Sequence, residues 1–235
     1  MLRIIRYLFS ILIFLPFFVC SQNTFDELIE QDLYANQRWI VNGVAWTNSS
    51  SYKGNRFCGS SKWKLGEVVF NGKEYFSVWI NYDVLEQELI LYDEKPGSEK
   101  YIKLNRQLIE SFSYEDQGET KMFVVEELVP GNGTQIYEKV QSGAISFYIK
   151  YRKSVKNEIQ GDYLGKIINN NIYYLVDEQG VHAFKNKKQV LDILGNTKAL
   201  KKYIRKENLV INRKKPEDIV RLLVYNELLT PTQQR

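Results

Sequence analysis

A chain of 235 residues with a single histidine has few routes to acid–base or metal chemistry. That histidine is His182, in Val181-His182-Ala183-Phe184. Any Ser-His-Asp triad, Cys-His pair or histidine-rich zinc site would have to be built around it. It stands just past a predicted hairpin turn, where an ordinary sheet-facing side chain accounts for it. There is no Gly-x-Ser-x-Gly elbow, no zinc-binding histidine pair and no phosphate-cradling glycine loop before a helix. Gly131-Asn132-Gly133 follows Pro130 and reads as a turn, because no helix with a lysine begins there. Carboxylates are more plentiful. A glycosidase needs two of them facing across a cleft, but Glu126 and Glu127 are adjacent on a predicted strand and so point to opposite faces. Asp83, Glu86 and Glu88 gather at a turn without the spacing of a calcium loop. These patterns assign no catalytic residue, metal or cofactor.

Cys58, in Phe57-Cys58-Gly59-Ser60-Ser61, has no basic activator beside it and reads as a small, partly buried side chain rather than a nucleophile. The other cysteine, Cys20, lies in a leader-like segment. Arg3 and Arg6 precede an apolar run, Tyr7 to Val19, that is short for a membrane span. This predicts a signal peptide over residues 1–21, cleaved after Ser21, and export to the periplasm or the outer membrane. Lipidation at Cys20 is the competing reading, although Val19 stands where a lipobox carries a small residue. After cleavage one thiol remains, so no internal disulfide staples the fold. Asn48-Ser49-Ser50 and Asn132-Gly133-Thr134 match the glycosylation pattern, which matters only where that pathway exists.

Without Arg3 and Arg6 the formal charge falls from +4 to about +2, which gives no case for nucleic-acid binding. The charge is nevertheless uneven. Lys185 to Lys215 holds eleven Lys and Arg against Asp192 and Glu207. At about 100° per residue Lys201, Lys202, Arg205 and Lys206 share one helix face, opposite Leu200, Tyr203 and Ile204. One reading is a solvated outer face. The other is contact with anionic envelope lipid, glycan or an acidic partner, a contact that salt would weaken.

The elements that position these residues begin with Trp63 to Asp93. Asn71-Gly72 predicts a type I′ hairpin turn. Beyond it Phe76, Val78, Ile80 and Tyr82 alternate with Ser77, Trp79 and Asn81, and Glu88 to Tyr92 follows after a short polar break. This is an antiparallel meander. Further strands are predicted over Tyr101–Leu104, Gln107–Tyr114, Met122–Val129, Ile145–Tyr151, Ile172–Val176 and Val181–Phe184. Lys153 to Gly161 reads as a polar connection. Phe25 to Tyr34 has the spacing of a short helix. From Lys185 the period becomes helical: Gly195 caps one helix, Thr197 opens the next, and Pro216 opens a third.

Trp63-x-x-Gly66, the Val68-Val69-Phe70-Asn71-Gly72 turn and Asn81-Tyr82-Asp83 followed by Glu88-Leu89 resemble a family of small exported proteins of Bacteroidota. So do Ile172-Tyr173-Tyr174-Leu175, Lys202-Tyr203-Ile204 with Asn208, and Tyr225-Asn226-x-Leu228. The resemblance covers most of the mature chain. It implies location and architecture, and it carries over no activity or catalytic residues.

The expected fold is α+β: a curved antiparallel sheet or partial β-barrel with two or three C-terminal helices packed on it. Residues 22–184 would hold a short helix and the sheet, and residues 185–235 the helices, in one structural domain. The expected function is a non-enzymatic envelope binding or accessory module for a protein, peptide or lipid. A curved aromatic sheet can form a hydrophobic groove. Its predicted walls are Phe76, Val78, Ile80 and Tyr82 on one strand and Phe147, Ile149 and Tyr151 on another; the simpler reading is that these side chains fill the core. The alternatives are a carboxylate-dependent hydrolase of envelope glycans and a structural adaptor in peripheral contact with the membrane through Lys201, Lys202, Arg205 and Lys206.

Overall fold

Asn71 and Gly72 both take positive φ, 52° and 73°, as the predicted turn requires. They join β3 (Lys64–Phe70) to β4 (Lys73–Asp83), the centre of the fold. The computed structural model describes residues 43–47, 51–93, 100–160 and 163–229. The predicted signal peptide, the Phe25 to Tyr34 helix and Asn48 lie outside the described residues.

Two short strands, β1 (Val44–Ala45) and β2 (Tyr52–Lys53), precede this hairpin. After it come β5 (Glu88–Asp93), β6 (Lys100–Lys103), β7 (Ile109–Asp116), β8 (Glu119–Glu126), β9 (Gln135–Gln141) and β10 (Ser146–Lys150). Then follow β11 (Lys153–Gln160), β12 (Tyr163–Asn169), β13 (Ile172–Asp177) and β14 (Gly180–Phe184). The main sheet has eleven strands in the order β1-β6-β5-β4-β3-β7-β8-β9-β10-β13-β14. It is curved and open, with β1 and β14 at its edges, and every pairing in it is antiparallel. Three helices close the fold: α1 (Lys187–Ile193), α2 (Lys198–Lys206) and α3 (Pro216–Leu229). The α+β architecture is therefore the one expected, with the sheet curved but unclosed.

Three local features depart from the sequence pattern. Lys153 to Gly161 was expected to be a connection, but it forms β11, which pairs with β12 in a second, three-stranded sheet completed by parallel β2. No residue of β11 from Lys153 to Glu158 is fully buried, whereas its partner β12 buries Gly165 and Ile167 on one face. The strand β9 also lacks a clean alternation, because Ile136, Tyr137 and Glu138 are all buried, on alternating faces. The third departure is a β-bulge in β4. Gly66 pairs with Val78 and Val68 with Tyr75, so Phe76 and Ser77 together face Glu67. Ser77 has φ 54°, and the side chains before it are inverted relative to those after it. Tyr75 is consequently buried and Phe76 exposed.

The inner face of the sheet carries the core. Val68, Val78, Ile80, Tyr82, Phe112, Tyr114 and Phe123 are buried there. Farther along the same face Phe147, Ile149, Tyr173, Leu175 and Phe184 pack against Val190, Leu191 and Leu194, Leu200 and Ile204 of α2, and Ile219, Leu222 and Leu223 of α3. Thr197 opens α2 as expected, its Oγ1 accepting from Leu200 N–H at 3.3 Å, and Asn186, which the sequence pattern did not single out, opens α1 by accepting from Gln189 N–H at 3.1 Å. Gly195, at φ 78°, ends α1. Gly66 sits mid-strand because a Cβ there would lie 2.3 Å from the Ser113 carbonyl oxygen and 2.8 Å from Ile80 Cδ1.

Candidate functional site

The predicted groove walls do come together, but as core. Val78, Ile80, Tyr82, Phe147 and Ile149 are buried on the inner face, and Tyr151 is half-buried beside them. The Tyr82 ring contacts Phe123 at 5.6 Å, and Phe123 contacts Tyr151 at 6.2 Å, so aromatic side chains fill the space between the two strands. Phe76 is the exception and faces outward through the bulge at Ser77.

Polar groups within this interior bond to one another. The buried Lys64 ammonium donates to the carbonyl oxygens of Cys58, Ser60 and Lys62 and to Asn81 Oδ1, at 2.9–3.3 Å. Burial lowers its pKa. Glu138 accepts from Lys121 at 3.2 Å and from the Tyr151 hydroxyl at 2.5 Å. Burial pulls Lys121 down, but Glu138 more than offsets this and its pKa rises. Desolvation drives Tyr151 far above the usual phenol range. The Cys58 thiol is pushed up to about 11, chiefly by burial, and stands beside the Tyr114 hydroxyl, which makes no hydrogen bond of good geometry.

The remaining buried carboxylates are likewise engaged. Asp116 accepts from Ser60 N–H at 3.0 Å, and Asp218 from Val210 N–H at 2.9 Å. Asp83 accepts from Arg56 Nε at 2.6 Å, and from the N–H groups of Leu85 and Glu86 at 3.1 and 3.3 Å. The lone histidine bonds locally: His182 Nε2 lies 2.9 Å from Asp177 Oδ1 across the β13–β14 turn. Partial burial would raise the Asp177 pKa, but hydrogen bonds from His182, Gln179 and Gly180 hold it below the ordinary carboxylate value.

The outer face of β4-β3-β7-β8 has a different character. Register places Leu65, Glu67 and Val69 of β3 beside Glu74, Phe76 and Trp79 of β4. On the other side lie Ser111, Ser113 and Glu115 of β7 and Thr120, Met122 and Val124 of β8. Phe76 is 52% exposed, Leu65 and Met122 49%, and Trp79 38%. A shallow groove of about 400 Å³ runs here, floored by Ser111 and Ser113 and flanked by Phe76, Met122 and the Glu67 carboxylate. These twelve outward positions hold three glutamates and no lysine or arginine. Next to this surface Trp63, Tyr92 and Tyr101 form a triangular cluster of near-parallel rings with all three centroid distances 5.2–5.6 Å. The cluster joins Trp63, just before β3, to Tyr92 of β5 and Tyr101 of β6.

The basic helix face is also present. On α2 Leu200 and Ile204 are buried, while Lys198, Lys202, Arg205 and Lys206 are exposed and Lys201 is half-buried. No described helix is long and apolar enough to cross a membrane. No protein-family model matches the chain, and neither a curated protein nor a solved structure matches it. Sequence reasoning missed the outer sheet face because strict alternation assigned Phe76 to the core. The one available signal was Met122, Leu65 and Trp79, apolar residues at outward positions on neighbouring strands.

Proposed function

We propose that this protein is a non-enzymatic binding module of the bacterial envelope, exported by its leader, and that it recognises a protein partner on the outer face of β4-β3-β7-β8. The observation that carries this reading is the combination of exposed apolar side chains with Glu67, Glu74 and Glu115 and no cation among them. Exposed apolar patches mark interaction surfaces. Carboxylates lacking a local counter-charge favour a partner that brings its own cations. The matching chemistry is a protein segment presenting apolar side chains interspersed with Lys or Arg. In the interior, Glu138 and Asp83 are paired with Lys121 and Arg56, and the Lys64 ammonium is bonded to backbone carbonyls and Asn81.

The test is site-directed photo-crosslinking in the cells that naturally make the protein. A crosslinker replacing Phe76 or Met122 should capture one reproducible partner, and a crosslinker at Glu178 should not. Reversing Glu67, Glu74 and Glu115 to Lys should abolish the capture. Capture that survives this reversal, or none from either outer-face position, would sink the proposal.

A further inference from the structure

The second unsatisfied surface lies on the helices. Measured around α2 at about 100° per residue, Lys198, Lys201, Lys202, Arg205 and Lys206 fall on one arc of about 140°. Lys206 lies 3.7 Å from Glu207, which is itself held at 3.2 Å by Arg221. The other four make no ion pair among the described residues. Leu200 and Ile204, on the opposite side, are locked into the core, so the arc cannot turn away from solvent.

Two contacts fix what lies beside it. Tyr203 stacks on Tyr225 with centroids 3.8 Å apart and planes 4° apart, and Glu207 meets Arg221. Moving four residues back along α2 thus corresponds to moving four residues on along α3, so the two helices are antiparallel. Continued toward the end of α3, this register sets Val224 level with Ile204 and Leu228 level with Leu200, between Lys198 and Lys202. Leu228 is 78% exposed, and Val224 and Leu229 are also open to solvent. Arg221, Val224 and Leu228 share the outer stripe of α3, with Glu217 more than two turns before Leu228.

We infer that this face of α2 and α3 docks on an anionic lipid surface, with the cationic arc against phosphate headgroups and Leu228 and Val224 dipping among the acyl chains. The apolar pair identifies lipid as the occupant. A soluble polyanion would satisfy the cations but offers nothing to bury an exposed leucine, whereas a bilayer interface takes both. The inference is independent of the outer sheet face, which lies on other elements.

The chain, as purified from its own cells, would be titrated with vesicles of 30% phosphatidylglycerol in phosphatidylcholine, with pure phosphatidylcholine vesicles, and with soluble polyphosphate as competitor. Anionic vesicles should bind it, and neutral ones at least about tenfold more weakly. Replacing Lys198, Lys202, Arg205 and Lys206 with Gln should weaken vesicle binding by about a hundredfold or more. Leu228→Ser, which leaves the charge untouched, should weaken it by about tenfold. Both variants alter exposed positions, and circular dichroism should show an unchanged fold. Failure to bind anionic vesicles overturns the inference. So does full competition by polyphosphate with no effect of Leu228→Ser, because the face would then be a soluble-polyanion site.

Discussion

At the scale of single residues, the chemistry is that of groups held by their neighbours. Asp83 is fully buried, and burial pushes its pKa up even though Arg56 and two backbone N–H groups pull it back. A raised carboxyl pKa means that the fold holds the proton more tightly than the unfolded chain does. The stabilising effect of that proton is therefore lost as pH rises from about 4 through the folded value. Arg56→Ala removes the main counter-charge from a buried carboxylate. It should cost about 3 kcal/mol at about pH 8, and clearly less at about pH 3, below the ordinary carboxyl value. Urea unfolding at the two pH values measures this, and equal losses would refute it. Cys58 makes a second prediction. A buried thiol with a pKa of about 11 is almost wholly protonated at neutral pH. In a Cys20→Ser chain, a thiol reagent should leave Cys58 unmodified under native conditions and label it promptly in concentrated urea. Prompt native labelling would instead reveal an accessible thiol.

At the scale of elements, the bulge at Ser77 decides which face of β4 does what. Without it Phe76 would point inward with Val78, and Tyr75 would point to solvent. Ser77 pays a conformational cost for its positive φ, so Ser77→Gly should raise stability by about 0.5–1 kcal/mol, and Ser77→Val should lower it by more. Chemical denaturation of the two variants gives the comparison; a destabilised glycine variant would show that the Ser77 side chain matters more than its backbone. Gly66 constrains the neighbouring strand. Gly66→Val would drive a side chain into the β7 backbone and should cost more than about 3 kcal/mol, read as loss of cooperative thermal unfolding. A variant that melts near the parent temperature would mean that β3 and β7 can part locally.

At the scale of the whole molecule, the helices complete the sheet. Phe147, Ile149, Tyr173, Leu175 and Phe184 have α1, α2 and α3 as their cover. A chain ending at Phe184 would expose five large apolar side chains on one face, worth about 1.5–3 kcal/mol each when buried. It should aggregate or bind a hydrophobic dye, whereas the full chain stays monodisperse and dye-free. A soluble, dye-free truncation would show that the sheet stands alone. The helices also separate two surfaces of opposite chemistry: carboxylates with aromatic side chains on the outer face of β4-β3-β7-β8, and cations with leucine on α2 and α3. A near-neutral net charge conceals both.

Local rules already fixed the turns, caps and helices in the chain. Asn71-Gly72 tolerates positive φ, Thr197 satisfies a free helix N–H, and Pro216 belongs in a first turn whatever surrounds it. The α+β class and the basic arc of α2 follow from periodicity in the same way, because a helix face depends only on spacing along the chain. Other features required the assembled fold. The bulge at Ser77 depends on how β3 and β4 share register, and β11 is a strand only because β12 lies beside it. The Lys64 ammonium is hydrogen-bonded by carbonyl groups of a loop and by Asn81, seventeen residues further on. The register that sets Leu228 level with Leu200 depends on the Tyr203–Tyr225 stack, a contact between helices that spacing within either helix does not encode.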